Sequence, residues 1–579
     1  MTRLFNDPAT FTEDMLDGFL DANSGYVVGV EGGVVRASAT PPGKVAVVVG
    51  GGSGHYPAFC GVVGPGFADG AVVGNVFTSP SAREAASVAR AAHGDAGVLL
   101  ITGNYAGDVM NFGLATRQLR SEGIDARYLV VTDDIASAPP DDTTKRRGIA
   151  GDFTVFRCAS AAAETGARID DVERIASKAN DATRTLGVAF DGCTLPGADR
   201  PLFTVAPGSM ELGLGIHGEA GVSSSTMPAA AELATLLVDG VLAEKPKGAT
   251  DRVAVILNGL GRTKYEELFV VWKTVAARLA DAGLTVVQPE VGELVTSLDM
   301  AGCSLTVTWL DDALERLWTS PADTPAYRKG QMNQAGAELR ARTHVHAQTP
   351  SVPTTFIEAD EASRMCGAHV AHALAAMAAR MVEAEADLGR IDAVAGDGDH
   401  GRGMVRGTEA ASMAATSASR RGGGTGFVLQ AAGEAWAAKA GGTSGVLWGA
   451  ALSAAARRLG DSGTPMDSDV AEALRAGHDA LVELGGAHRG DKTMLDALGP
   501  FVEAIESAVA RGIDWRSAWL ASIDVARKSA AATAELRPKV GRARPLAERS
   551  VGTPDAGAIS LAMCIGTVAK VFETEGVTQ

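Results

Sequence analysis

The sequence predicts a multidomain protein, with an N-terminal α/β part of two subdomains followed by an all-α C-terminal part. Three observations lead there. A chain of 579 residues is far too long for one hydrophobic core. Over its first half, β-branched runs alternate with helix-like segments in the βαβ manner. Beyond a polar, Pro-containing stretch the composition shifts to Ala-rich segments of helical spacing, with no convincing strand.

In chain order, the first element is the run Lys44 to Val49, continuous in Val and suited to a strand buried on both faces. It ends in Gly50-Gly-Gly-Ser-Gly-His-Tyr-Pro57, a glycine loop where α/β sheets bind ligands. Its glycine spacing matches neither the dinucleotide fingerprint nor the Walker A loop. A second strand, Ala96 to Thr102, runs into Gly103-Asn-Tyr-Ala-Gly-Asp108 and an amphipathic segment from Val109 to Arg120; a third spans Arg127 to Asp134. The alternation returns with Arg252 to Asn258, a helix from about Tyr265, and Leu284 to Gln288. The subdomains are expected over 1–190 and 191–330, a linker over 331–358 that is clearest from Gln348 to Thr355, and the helical domain over 359–579. Its helices are expected near Ala362–Ala386, Phe427–Ala440, Val446–Leu459, Asp469–Leu484, Thr493–Arg511 and Trp515–Ala534.

Composition excludes some functions. Apolar content of 46% with 21% charged residues is that of a soluble globular protein. A formal net charge of -17 argues against nucleic-acid and anionic-membrane partners, which need a basic patch. An anionic substrate is then held by metal or by backbone amides. The opening residues lack a basic-then-apolar signal pattern, so cytoplasm is the expected compartment. Six cysteines without C-x-x-C pairing read as small buried hydrophobes.

Two groups of residues carry chemistry. In the first half, His55 lies in a glycine loop, Asp108 follows a second strand, and His217 stands in Gly213-Leu-Gly-Ile-His217-Gly-Glu-Ala-Gly221. A lone histidine is commonly structural, but one flanked by glycines has no packing neighbours of its own. Imidazole serves as nucleophile or general acid/base, and a carboxylate near a hydroxyl accepts its proton. In the second half, Asp392, Asp397 and Asp399 crowd among Gly396, Gly398, Gly401 and Gly403. Oxygen donors on one bend suit a hard cation such as Mg²⁺, although an acidic surface turn has the same composition. Gly441-Gly-Thr-Ser-Gly445 precedes a helix and reads either as a phosphate seat or as a plain cap. The arginines of the Gly541 to Gly557 loop could clamp phosphate or pair with acids.

These motifs, with Ile216-His-Gly-Glu219, Val295-Thr-Ser-Leu-Asp-Met-Ala-Gly302, Gly490-Asp-Lys-Thr-Met-Leu-Asp-Ala-Leu498 and Glu548-Arg-Ser-Val-Gly552, resemble the ATP-dependent dihydroxyacetone kinase family over nearly the whole chain. The resemblance implies a ketose-binding α/β domain and an ATP-binding domain built as an eight-helix barrel. It implies that His217 binds the substrate carbonyl as a hemiaminal, that His55 and Asp108 hydrogen-bond and activate the hydroxyl, and that Gly52, Ser53 and Gly54 line the pocket. It implies that Asp392, Asp397 and Asp399 hold two Mg²⁺ ions on the ATP phosphates. His400, Gly401, Arg402, Gly403, Thr443, Ser444, Gly485, Met494, Arg542, Asp555, Ala556 and Gly557 would surround the nucleotide. A homodimer is also implied, in which one subunit's helical domain serves the other's ketose site.

The chain departs from the family pattern at Gly103, where a Lys is usual, and at Tyr56, Phe59, Ala220 and Arg544-Pro545. Loss of a long cation beside the pocket favours erythrulose slightly over dihydroxyacetone. The rival readings are a non-catalytic ketose-binding regulator, a helical-domain kinase acting on a fatty acid held by a carrier, and a phosphoenolpyruvate-dependent relay. The first should have lost a site residue, the second lacks the paired histidines, and the third keeps its domains as separate chains.

Overall fold

A computed structural model describes residues 2–219, 221–330, 359–396, 398–440, 442–540 and 547–575. The chain divides into two units, Met1–Glu338 and Leu339–Gln579. The expected linker 331–358 lies outside the described residues, as do Asp397, Arg542 and the side chain of Thr443.

The first unit opens with α1 (Phe11–Ala22), followed by β1 (Val27–Val30), β2 (Gly33–Arg36), β3 (Ala46–Ser53), β4 (Gly70–Val76), α2 (Ala82–Ala92), β5 (Val98–Gly103), α3 (Ala106–Ser121) and β6 (Ala126–Val131). The six strands form one sheet in the order β1-β2-β4-β3-β5-β6. β3 is central, parallel to both β4 and β5, with Val48 opposite Gly70 and Ala46 opposite Val98. Every residue of β3 is buried, as the unbroken Val run requires of a strand covered on both faces. The antiparallel β1–β2 hairpin closes one edge.

Next come α4 (Gly151–Glu164), α5 (Ile169–Asp181), β7 (Thr183–Asp191), β8 (Ser209–Leu212), β9 (Ser223–Thr226), α6 (Ala230–Ala243), β10 (Arg252–Gly259), α7 (Tyr265–Asp281), β11 (Thr285–Val286), β12 (Glu290–Gly292), β13 (Ala301–Trp309) and α8 (Asp312–Thr319). β7 belongs to the second sheet, in the order β11-β10-β13-β7-β8-β9, so by sheet membership the second subdomain begins at Thr183 rather than near residue 190. The expected βαβ alternation holds for β10, α7 and β11, but β13 pairs antiparallel with both β10 and β7. Cross-strand hydroxyl pairs Thr183–Thr308 (2.9 Å) and Thr185–Thr306 (2.8 Å) satisfy the polar atoms this pairing buries. α4 packs against strands of both sheets and is buried on every side, which explains its Ala-rich, apolar sequence without a polar face.

The second unit is all-helical: α9 (Glu361–Asp392), α10 (His400–Arg420), α11 (Thr425–Ala440), α12 (Gly442–Leu459), α13 (Asp467–Gly485), α14 (Leu495–Ala510), α15 (Trp515–Ala532) and α16 (Ala556–Glu575). Each packs on the next, and α16 closes the ring against α9. That is the helical barrel the sequence comparison of motifs implies. α9 has the length and hydropathy of a membrane span, yet its buried Leu374, Met377, Met381 and Leu388 belong to this unit's core. α16 is absent from the helices read from sequence, because its Gly- and Ser-containing start blurs the apolar period. All six cysteines are unpaired; five are buried and Cys366 is half-buried.

Candidate functional site

β3 and β5 are adjacent parallel strands, and their C-terminal ends deliver the first two site residues. Ser53 ends β3, and His55 follows two residues on; Asp108 lies in the first turn of α3, just past β5. His217 comes from the loop between β8 and β9 of the other sheet. The structure brings the two histidines together: His55 Nε2 lies 3.1 Å from His217 Nε2. His55 Nδ1 faces the Thr296 carbonyl at 2.7 Å, and His217 Nδ1 faces Glu219 Oε1 at 3.1 Å.

The partners at Nδ1 place one proton on each ring. A carbonyl and a carboxylate only accept, so both Nδ1 atoms donate. The two Nε2 atoms are the ring positions that face each other. Burial, followed by the neighbouring His217, drives His55 down to about 3, so His55 stays neutral. Glu219 is held down to about 2: burial opposes its ionisation, but the bonds and charge of His217 outweigh that cost.

Asp108 is buried, and its Oδ1 has no hydrogen-bond partner among the described residues. Burial pushes it up to about 6, with Ser79 and His217 pulling the other way. It is therefore a carboxylate poised near neutrality, the condition a general base needs. Aromatic rings wall the site: Phe77 stacks on His55 at 5.1 Å, and Tyr105 stands edge-on to His217 at 4.7 Å. Gly52, Ser53 and Gly54 lie beside these groups, and the Ser53 hydroxyl is 3.2 Å from that of Thr12. Phe59 packs beneath, 6.3 Å from His55, while Tyr56 is 46% exposed and leans on Phe19. A Cβ on Gly103 would lie 2.9 Å from the Tyr105 ring, so the volume a longer side chain would need is occupied by Tyr105, whose hydroxyl donates to the Gly148 carbonyl at 2.9 Å.

The acidic loop of the second unit connects α9 to α10. Asp392 is the last residue of α9, and its Oδ2 accepts from the Gly398 amide at 2.8 Å. Asp399 is the N-cap of α10 but makes no capping bond, leaving an exposed carboxylate. His400, Gly401, Arg402 and Gly403 form the first turn of α10. Among the described residues no cluster of three or more such ligands is preassembled. The oxygen-only set of Asp392 and Asp399 nevertheless fits a hard cation such as Mg²⁺, whose preferred donors are carboxylates and water.

Beside this loop, His400 Nε2 is 2.9 Å from the Ser560 hydroxyl of α16, and burial lowers its pKa. Asp555 is pushed up to about 6 by burial, although the Ala558 amide donates to it at 2.7 Å. Gly557 approaches Met494, which lies within 4 Å of where its Cβ would sit. Ser444 lies in the first turn of α12, and Gly485 ends α13. Arg402 projects outward with its side chain 71% exposed. The sequence reading assigned no role to Lys492 and Asp496. Lys492 is buried with φ of 61° and donates to the Ser550 carbonyl at 2.6 Å; Asp496 accepts from the Thr493 amide at 2.8 Å. Both lay within a quoted motif, but only tertiary contact shows what they hold. Phe77 and Arg147 carried no sequence signal at all, and Thr296 only as part of a quoted motif.

The Dak1 domain family matches residues 17–326, and the DAK2 domain family matches 394–570. A D-erythrulose kinase of Mycolicibacterium smegmatis is 68% identical over 100% of both chains. An L-erythrulose kinase of Pectobacterium atrosepticum is 52% identical over 99% of this chain and 97% of that one. Among solved structures, the dihydroxyacetone kinase from C. freundii in complex with AMP-PNP and Mg²⁺ is 31% identical, covering 98% of this chain and 99% of that one with a TM-score of 0.60.

Proposed function

The chain belongs to the ATP-dependent dihydroxyacetone kinase family, and on that premise we propose that it phosphorylates a terminal hydroxyl of a short-chain ketose, with erythrulose preferred over dihydroxyacetone. The observation that carries this reading is the facing His55–His217 pair beside the buried carboxylate of Asp108. The erythrulose preference is supported by the names of the two relatives above, and the D enantiomer by the greater identity of the first.

In this reading residues 1–330 carry the ketose and 359–579 the nucleotide. Nε2 of His217 adds to the ketose C2. The carbonyl oxygen takes one proton from solvent by way of His55 Nε2, and Nδ1 keeps its proton against Glu219. The hemiaminal imidazolium then carries one positive charge, which faces the Glu219 carboxylate. Asp108 then takes the proton of the terminal hydroxyl as that oxygen attacks the γ-phosphorus. The phosphoryl group moves from ADP's oxygen to the ketose oxygen, and the hemiaminal reverses to release product.

Asp392, Asp397 and Asp399 would hold Mg²⁺, as two ions, which neutralises charge on the phosphates; positioning and charge neutralisation dominate phosphoryl transfer. Amides at the start of α10 and α12, with Met494, Arg542 and the Asp555-Ala-Gly557 turn, would hold the nucleotide. A homodimer in which the helical unit of one copy serves the ketose site of the other completes the proposal. Incubating the purified protein with ATP, Mg²⁺ and a panel of short ketoses and aldoses tests it. ADP release with dihydroxyacetone or either erythrulose enantiomer is expected; turnover with none of them would refute the reading.

A further inference from the structure

We propose that Arg147 is a positioning residue for ketose capture, holding the Gly213–Glu219 loop against the first sheet and, through Glu219, fixing the His217 ring with Nδ1 protonated. This rests on the reading that His217 carries the ketose.

The loop bearing His217 hangs from the second sheet, whereas His55 and Asp108 stand on the first, so their alignment depends on a tie between the sheets. Arg147, just before α4, supplies it. Its Nε and Nη2 lie 2.9 and 2.7 Å from the carboxylate of Asp134, which follows β6 and is 2% exposed. Nη2 also donates to the Gly213 carbonyl at 3.1 Å, where the loop begins. Nη1 lies 3.8 Å from Glu219 Oε2, where the loop ends. Glu219 in turn accepts from the His217 amide at 3.0 Å and from its Nδ1 at 3.1 Å. Guanidinium, carboxylate and imidazole therefore form one line.

Gly215 makes the line possible. A Cβ there would stand 2.0 Å from Glu219 Oε2 and 2.4 Å from Arg147 Nη1. The charged and titratable groups facing the guanidinium are Asp134, Glu219 and Tyr105. A partly buried carboxylate without a cation tends to take a proton. A protonated Glu219 could donate to Nδ1 and so move the ring proton to Nε2, where it would block attack on a carbonyl. The bonds from His217 hold Glu219 ionised, and Arg147, with Nη1 3.8 Å from Oε2, keeps that carboxylate in the place where it fixes the useful tautomer.

The test compares full-length Arg147→Met, Arg147→Lys, Glu219→Gln and the Arg147→Met/Glu219→Gln double variant. Arg147→Met should raise the ketose KM by about tenfold or more while leaving the ATP KM within about twofold. Arg147→Lys should recover most of the loss. The double variant should lose less than the product of the two single losses, because Arg147 acts in part through Glu219. Imidazole ¹⁵N spectra should show the His217 Nδ1 proton disturbed in Arg147→Met. An unchanged ketose KM, equal rises in both KM values, or losses that multiply in the double variant would overturn the proposal. If the wild type phosphorylates no ketose, only the functional reading fails, and the spectra alone decide the role of Arg147.

Discussion

Asp108→Asn separates what this carboxylate does for catalysis from what it costs the fold. Asp108 is buried, its Oδ1 lacks a partner among the described residues, and its pKa rises from 3.8 to about 6 through burial. Below pH 4 the group is protonated in both the folded and unfolded protein, and its ionisation affects neither. As pH climbs toward 6, the unfolded chain ionises first, and stability is lost; above 6 the loss is complete. A shift of about two units corresponds to about 3 kcal/mol. Asparagine avoids that term, but leaves an amide group incompletely bonded at a cost of about 1–3 kcal/mol. The net gain at pH 7.5 is about 1 kcal/mol, or roughly 2–4 °C in Tm, and it should vanish or reverse at pH 4. Catalysis should move the opposite way: loss of the general base should lower kcat by about 10²–10⁴. The wild-type acid limb near pH 6 should disappear with it. Calorimetry of the first unit's transition at both pH values, with ADP release on erythrulose across pH 5–8, measures both. A variant keeping more than about a tenth of wild-type kcat would refute the base assignment. A Tm difference independent of pH would refute the burial argument.

The remaining predictions are shorter. Asp397→Ala, or chelation of Mg²⁺ by EDTA, should abolish phosphoryl transfer while ketose binding, followed by calorimetric titration, stays nearly intact; equal loss of both would contradict the division of roles. Gly103→Lys should push the Tyr105 ring off His217 and lower kcat/KM for erythrulose more than for dihydroxyacetone, so an unchanged ratio would place specificity elsewhere. One additional hydrogen-bonded hydroxyl contributes about 1 kcal/mol, a several-fold preference for erythrulose in the wild type. Fragments 1–335 and 356–579 should each fold, judged by circular dichroism and cooperative melting, and neither should phosphorylate alone. Aggregation of both would count against separate cores.

The two fold classes were legible in the chain because their periods differ: Val runs bounded by glycine loops for β3 and β5, Ala-rich helical spacing for the second unit. The three residues of the proposed ketose site were legible because His55 and His217 stand in glycine-flanked loops and Asp108 follows a strand end. Less was legible where burial removes the period. α4 is covered on all sides and so shows no polar face, and β7 was missed because Thr183-Arg-Thr-Leu-Gly mixes polar and apolar residues. Tertiary structure alone decided that the two Nε2 atoms face each other, that Tyr105 fills the volume beside Gly103, and that Arg147 reaches Glu219. Sequence spacing orders residues along one element, whereas these contacts join elements from different sheets, and only the packing of those sheets sets the distance between them.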